Sequence, residues 1–212
     1  MRPRTDETPK PLLALCGRPI IEWTIERLVR AGFVDLVINH AHLGHLIEAA
    51  LSDGRRLGAS ISYCAEDQAL ETAGGIANAL PLLGSAPFVA TNGDIFCDFD
   101  FASLRLRPLG RSLAHLVLVA NPAHHPEGDF ALRGEDVRDE GAPRWTFSGI
   151  GLYRPELFES VRPGDKAKLA PLLRAAMARG LVTGEIYSGA WHDIGTPERL
   201  DHLSSSLGAH RA

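Results

Sequence analysis

The sequence predicts an α/β fold, a mixed and mostly parallel sheet with helices on both faces, and three observations carry that prediction. Through the first half, strand-length apolar runs alternate with segments of helical periodicity, the pattern of repeated strand–helix–strand crossovers. Turn-forming polar residues follow the apolar runs, most clearly Asn92-Gly93-Asp94 after Phe88-Val89-Ala90. The second half changes character: strand-like segments are separated only by turns, which adds an antiparallel or mixed layer.

The elements follow in order. Pro19 to Ala31 sets Ile20, Ile21, Ile25 and Leu28 on one face at helical spacing, and Gly32 stops it. Val34 to Ile38 is a strand, Leu43 to Leu51 a second helix and Ile61 to Cys64 a second strand. Ile76 to Leu83 is a helix interrupted by Pro81, and Phe88 to Ala90 a buried strand. Leu116 to Val119, Asp129 to Leu132 and Trp145 to Tyr153 are the strands of the added layer. Helices at Leu169 to Arg179 and Pro197 to Leu203 close the chain, the latter with Thr196 as N-cap and Pro197 at its first position.

Composition narrows the function classes. With 212 residues, 45% hydrophobic and 23% charged, the chain supports a sizeable core, and one domain over residues 1–212 is expected. A net charge of −4 without a basic stripe disfavours nucleic acid and anionic membranes as partners. No apolar run reaches membrane-spanning length, so a cytoplasmic protein acting on small molecules, as a monomer or weak homo-oligomer, is expected. Cys16, Cys64 and Cys97 are odd in number and widely spaced, and read as buried or inert thiols.

Three segments carry candidate chemistry. Asp94 at a strand tip and Asp193 beside the Gly195 turn are carboxylates of the kind that nucleotide-bound magnesium uses, one or two from protein and the rest from phosphate and water. Lys10 stands between Pro9 and Pro11, which are expected to hold the backbone extended and aim the ammonium. Leu70-Glu71-Thr72-Ala73-Gly74-Gly75-Ile76 is a strand-to-helix passage whose backbone N–H groups can meet a ligand. His40, His42 and His45 form H-x-H-x-x-H, read here as a strand-to-helix turn in preference to a metal site.

Together these pieces resemble the sugar-1-phosphate nucleotidylyltransferases over essentially the whole chain, and most closely their bacterial N-acetylmuramate α-1-phosphate uridylyltransferase branch. M-R-P-x-T, T-P-K-P-L, V-I-N-H, L-E-T-A-G-G-I, N-G-D, G-D-F, F-S-G-I, K-L-A-P-L-L-R and W-x-D-x-G-T occur in family order. The resemblance implies a Rossmann-like nucleotidyltransferase fold of the GT-A kind. It also implies that Lys10 contacts phosphate, that Asp94 and Asp193 hold Mg2+, and that Thr72, Gly74 and Gly75 lie along the nucleotide with Glu66 near the base. Asn92, Asn121, Gly128, Ser148 and Gly149 would line the sugar side.

The implied reaction joins a nucleoside triphosphate, UTP by this resemblance, to a sugar 1-phosphate. Mannose-1-phosphate guanylyl transfer and glucose-1-phosphate uridylyl or thymidylyl transfer are the neighbouring readings, and a non-catalytic sugar-nucleotide binder is the reading from another class. Residues 1–12 match the second half of a signature in which G-x-G-x-R precedes [LM]-x-P-x-T. A first strand and that glycine loop are therefore expected upstream of Met1, through truncation or a misassigned start, and the 212 residues alone are expected to transfer poorly.

Overall fold

The computed structural model describes residue 1 and residues 4–209, so Arg2 and Pro3 of the first motif lie outside the described residues. Along the chain run α1 (Arg4–Glu7), a 3-10 turn (Lys10–Leu12), β1 (Ala14–Leu15), β2 (Arg18–Pro19), α2 (Ile20–Arg30), β3 (Asp35–His40), α3 (Gly44–Leu51) and β4 (Ser60–Ala65). Then come α4 (Glu71–Leu83), β5 (Phe88–Thr91), β6 (Ile95–Cys97), α5 (Ala102–Arg105), β7 (Ala114–Val119), β8 (Phe130–Arg133), β9 (Asp136–Arg138) and β10 (Arg144–Tyr153). The chain ends with α6 (Leu169–Met177), β11 (Val182–Tyr187), β12 (Trp191–Asp193) and α7 (Pro197–Ala209).

Contacts divide the chain into two compact units. One comprises Met1–Asp67, Asn92–Arg105 and the segment from Gly189 onward; the other comprises Gln68–Thr91 and Leu106–Ser188. Each is assembled from segments distant in sequence, so no single cut in the chain separates them.

In the first unit β3 and β4 pair in parallel, while β6 and β12 pair antiparallel, with Asp193 opposite Ile95. Two apolar clusters hold these pieces. Ile21 and Ile25 of α2 pack with Ile47, Leu51 and Ile61, and Leu15, Ile20, Phe96, Ile194, Leu200 and Leu203 form the other. Burying such side chains is worth about 1.5 to 3 kcal/mol each. Ile95, Phe96 and Ile194 are buried, so the residues beside Asp94 and Asp193 are anchored by packing.

The second unit is a six-stranded sheet in the order β5-β10-β7-β11-β9-β8, with an added β10–β8 pairing. Every residue of β7 is buried, which explains its unbroken apolar run. The α/β class holds, but the parallel share is smaller than expected. Among the described residues only β3–β4 and β7–β11 are parallel, because the long β10 runs antiparallel between β5 and β7. β5, β7 and β11 consequently present their carboxyl ends at one edge of this sheet. At that same edge the β10–β7 register shifts between Phe147 and Gly151, a bulge with Gly149 at φ +83.

Two local expectations are corrected. Lys10–Leu12 is a 3-10 turn entered from an extended Pro9, because Leu12 N–H reaches the Pro9 carbonyl at 2.8 Å. α4 starts at Glu71, five residues before Ile76, and continues through Pro81, which falls in its last turn. Of the thiols, Cys64 and Cys97 are buried, and burial pushes Cys97 up to about 11. Cys16 is exposed, since it occupies the β1–β2 turn with φ +52.

Candidate active site

Lys10 and Asp94 meet in the first unit. The ammonium Nζ lies 2.5 Å from Asp94 Oδ2, with both side chains partly exposed. The contact follows from local packing: a Cβ placed on Gly93 would sit 3.6 Å from both Pro11 Cγ and Ile21 Cδ1, so the Asn92-Gly93-Asp94 turn rests against the proline following Lys10. Asn92 is exposed on that turn.

Asp193 is brought beside Asp94 by the β6–β12 ladder, which continues as an Ile194 N–H to Asp94 carbonyl bond of 3.3 Å. Its Oδ2 accepts from Arg199 Nη1 at 2.9 Å. Arg199 is aimed by the helix start itself. Thr196 Oγ1 accepts from the Arg199 backbone N–H at 3.3 Å, the N-cap geometry expected before Pro197. Gly195 packs closely under this pair, because a Cβ there would lie 3.0 Å from Arg199 Nη1 and 3.2 Å from Asp193 Oδ2. Two carboxylates far apart in sequence, each matched by a cation, thus stand on neighbouring strand ends. Hard carboxylate oxygens from two residues suit nucleotide-bound magnesium, which completes its shell with phosphate and water. No group of three or more His, Cys, Asp or Glu side chains suited to a metal occurs among the described residues.

A cleft of about 450 Å³ opens beside Lys10, lined among others by Thr5, Asp6, Asn39, His40 and His42. Asn39 and His40 end β3, and Asn39 Nδ2 donates to Glu66 Oε1 at 3.2 Å just beyond β4. Glu66 therefore sits at the carboxyl end of a parallel strand pair, where open α/β sheets receive ligands. His40 reaches Glu48 Oε1 at 2.7 Å, and its Nδ1 lies 1.9 Å from where a Gly44 Cβ would be, so position 44 has no room for a side chain. The histidine triplet is thus a strand-to-helix turn whose first two members border the cleft.

The second unit holds the remaining candidates. Thr72 is exposed in the first turn of α4, whereas Gly74 and Gly75 are buried inside it. The Ala73 and Gly74 N–H groups both donate to the Ala167 carbonyl at 3.0 Å. A Cβ on Gly74 would lie 2.2 Å from the Asp165 carbonyl oxygen. This glycine lets the 165–167 segment cap the helix, and its N–H is engaged within the protein.

Ser148 is buried, and its Oγ accepts from the Ile150 N–H at 3.1 Å across Gly149. Asn121 donates to the Pro126 and Arg144 carbonyls at 2.9 and 3.1 Å and accepts from Thr146 Oγ1 at 3.0 Å. Gly128, at φ +63, could not carry a Cβ without approaching Asn121 Oδ1 to 2.7 Å. Asn121 and Gly128 therefore lock the loop that follows β7. Thr91 Oγ1, at the carboxyl end of β5 opposite Ile150, is a buried hydroxyl with no partner among the described residues.

Sequence reasoning missed Arg199, Asn39 and Thr91. Arg199 carried one usable signal, its place three residues after a Thr-Pro helix start.

Comparison with known proteins now assigns the class. The chain belongs to the nucleotidyl transferase family, whose model matches residues 1–130. It is 50% identical over 216 residues to the N-acetylmuramate α-1-phosphate uridylyltransferase of Neisseria meningitidis serogroup B, covering 99% of this chain and 94% of that protein. The enzyme of the same name from Caulobacter vibrioides is 31% identical over 214 residues, covering 93% of this chain and 88% of that one. Mannose-1-phosphate guanyltransferase beta-A of Xenopus laevis is 36% identical over 210 residues, but the chain spans only 58% of its length. Among solved structures, UDP-glucose pyrophosphorylase complexed with UDP-glucose shares the fold with a TM-score of 0.79 at 19% identity, covering 99% of this chain and 94% of that one. No helix among the described residues is long and apolar enough to cross a membrane.

Proposed function

We propose that this nucleotidyltransferase moves the uridylyl group of UTP onto N-acetylmuramate 1-phosphate, releasing pyrophosphate and forming a nucleotide sugar for reuse of cell-wall sugar. The observation that carries the substrate choice is the 50% identity to the Neisseria enzyme across nearly the full length of both chains. The guanylyl reading has lower identity and a relative of which the chain covers little over half. The cytoplasm follows as the compartment, because UTP is a cytoplasmic substrate.

A phosphate oxygen of the sugar 1-phosphate attacks the α-phosphorus of UTP in line; that P–O bond forms as the bond to the leaving pyrophosphate breaks. Such transfer depends mainly on positioning and charge neutralisation. Lys10 offers its ammonium to phosphate oxygens, and Asp94 keeps that ammonium aimed in the free protein. Asp94 and Asp193 would hold magnesium, which when bound supplies further neutralisation of the triphosphate. Arg199 holds the Asp193 carboxylate in place. Within the first unit, Glu66, steadied by Asn39, is assigned to the base and Asn92 to the sugar; within the second, Thr72 is assigned to the nucleotide and Ser148 and Gly149 to the sugar.

The test is pyrophosphate release with UTP, GTP or dTTP paired in turn with N-acetylmuramate, N-acetylglucosamine, mannose and glucose 1-phosphates. UTP with N-acetylmuramate 1-phosphate is expected to give the highest kcat/KM. A higher value for GTP with mannose 1-phosphate would replace this reading with the guanylyl one.

A further inference from the structure

The loop between β7 and β8 is fixed from several directions, yet it presents a histidine outward. Asn121 and Gly128 close its ends, and Arg144 donates to the Asp129 and Asp139 carbonyls at 2.5 Å each. The Asp129 carboxylate is held in turn: its Oδ2 accepts from the Phe147 N–H at 2.8 Å, and its Oδ1 faces His125 Nε2 at 3.1 Å. The His125 side chain keeps 40% of its surface exposed. A carboxylate anchored by a backbone amide fixes the tautomer and tilt of an imidazole it touches, leaving the other ring nitrogen for a ligand. The loop sits beyond the carboxyl end of β7, at the edge shared with the β10 bulge and the unpartnered Thr91 hydroxyl.

We infer that His125 is the specificity-determining residue that recognises an acidic substituent on the acceptor sugar. Nε2 faces Asp129, and Nδ1 is the ring atom that meets the second carboxylate. This deepens the proposed function and rests on it, because N-acetylmuramate differs from N-acetylglucosamine by an ether-linked lactyl group that ends in a carboxylate. A side chain reading the phosphates would not separate the two sugars; one reading the lactyl carboxylate does.

The experiment measures calorimetric Kd values for UDP-N-acetylmuramate and UDP-N-acetylglucosamine with the full chain and with His125→Ala and His125→Lys. One charge-assisted hydrogen bond corresponds to about a 10- to 100-fold change in affinity. His125→Ala should weaken UDP-N-acetylmuramate by that factor and leave UDP-N-acetylglucosamine within about twofold, while His125→Lys should recover part of the difference. Equal weakening of both ligands, or an unchanged preference in His125→Ala, overturns the inference. If the unmodified protein makes UDP-N-acetylmuramate while His125→Ala keeps the preference, the inference alone falls. If the unmodified protein shows no preference for UDP-N-acetylmuramate, the substrate reading falls with it.

Discussion

Replacing Gly74 with alanine separates two roles that a glycine pair at a helix start can have, approach to a ligand and approach to the protein's own backbone. The added Cβ would lie 2.2 Å from the Asp165 carbonyl oxygen and 3.1 Å from the Ala167 nitrogen, both backbone atoms that cannot rotate away. The 165–167 segment must withdraw. That withdrawal breaks the Ala73 and Gly74 N–H bonds to the Ala167 carbonyl and strains the Ala167 N–H bond to Leu70, each 3.0 Å. At roughly 0.5 to 1.5 kcal/mol net for each of the three bonds, and with about 1 kcal/mol regained because alanine is the better helix residue, the expected loss is about 0.5 to 3.5 kcal/mol. For a chain of this size that lowers Tm by roughly 1 to 14 °C. Urea denaturation followed by tryptophan fluorescence gives the stability, and UTP titration of the folded variant gives the affinity. Lower stability with unchanged UTP affinity is expected. A stable variant with tenfold weaker UTP binding would refute the packing argument and put Gly74 against the nucleotide.

Other expectations are more direct. Lys10→Ala should slow transfer about 100- to 1000-fold, as loss of a preorganised charge does, with Tm nearly unchanged because the side chain is partly exposed. Equal losses of Tm and rate would mark a structural lysine. Ile194→Ala should cost about 2 to 5 kcal/mol in urea denaturation, since the side chain is fully buried beside Asp193, and a neutral result would contradict the anchoring of that strand. Glu22 is buried on α2 and its carboxyl is held below its ordinary range by Arg56 first and then Arg18, against the opposing effect of burial. A lowered carboxyl stabilises the fold above the unfolded pKa and loses that contribution as pH falls through the folded one. Glu22→Gln should therefore cost about 1 to 2 kcal/mol above roughly pH 5, and the gap to the unmodified protein should close in acid. A gap that is constant with pH would remove the charge from the explanation.

Much of this fold was legible because its periodicities are undisturbed. The apolar stripe of α2, the continuous run of β7 and the Thr196-Pro197 helix start each carry their own signal, and each appears where expected. β11 was missed because Gly184 and Glu185 interrupt its pattern. The glycine is there because a Cβ would meet the Leu116 carbonyl at 2.8 Å on the adjacent strand, a requirement visible only after pairing. β6 and β12 were missed for a related reason: three residues give no period, and their pairing joins segments far apart in sequence. At the candidate site, residue type and position suggested Asp94 and Asp193, whereas Lys10 rested on the family resemblance. The Arg199 counter-charge and the structural commitments of Asn121 and Gly74 depend on tertiary contacts that no local pattern encodes.

Asp94 and Asp193, on strands joined by the β6–β12 ladder, are proposed to form with Lys10 the charge centre of nucleotidyl transfer. The most direct measurement is magnesium-dependent pyrophosphate release from UTP and N-acetylmuramate 1-phosphate by the unmodified protein, Asp94→Asn and Asp193→Asn, with urea midpoints recorded for all three. Both carboxylates are partly exposed and neither fills the core, so each variant should lose turnover by orders of magnitude while its midpoint stays close to that of the unmodified protein. Turnover like that of the unmodified protein in either variant would remove that residue from the centre and contradict the claim.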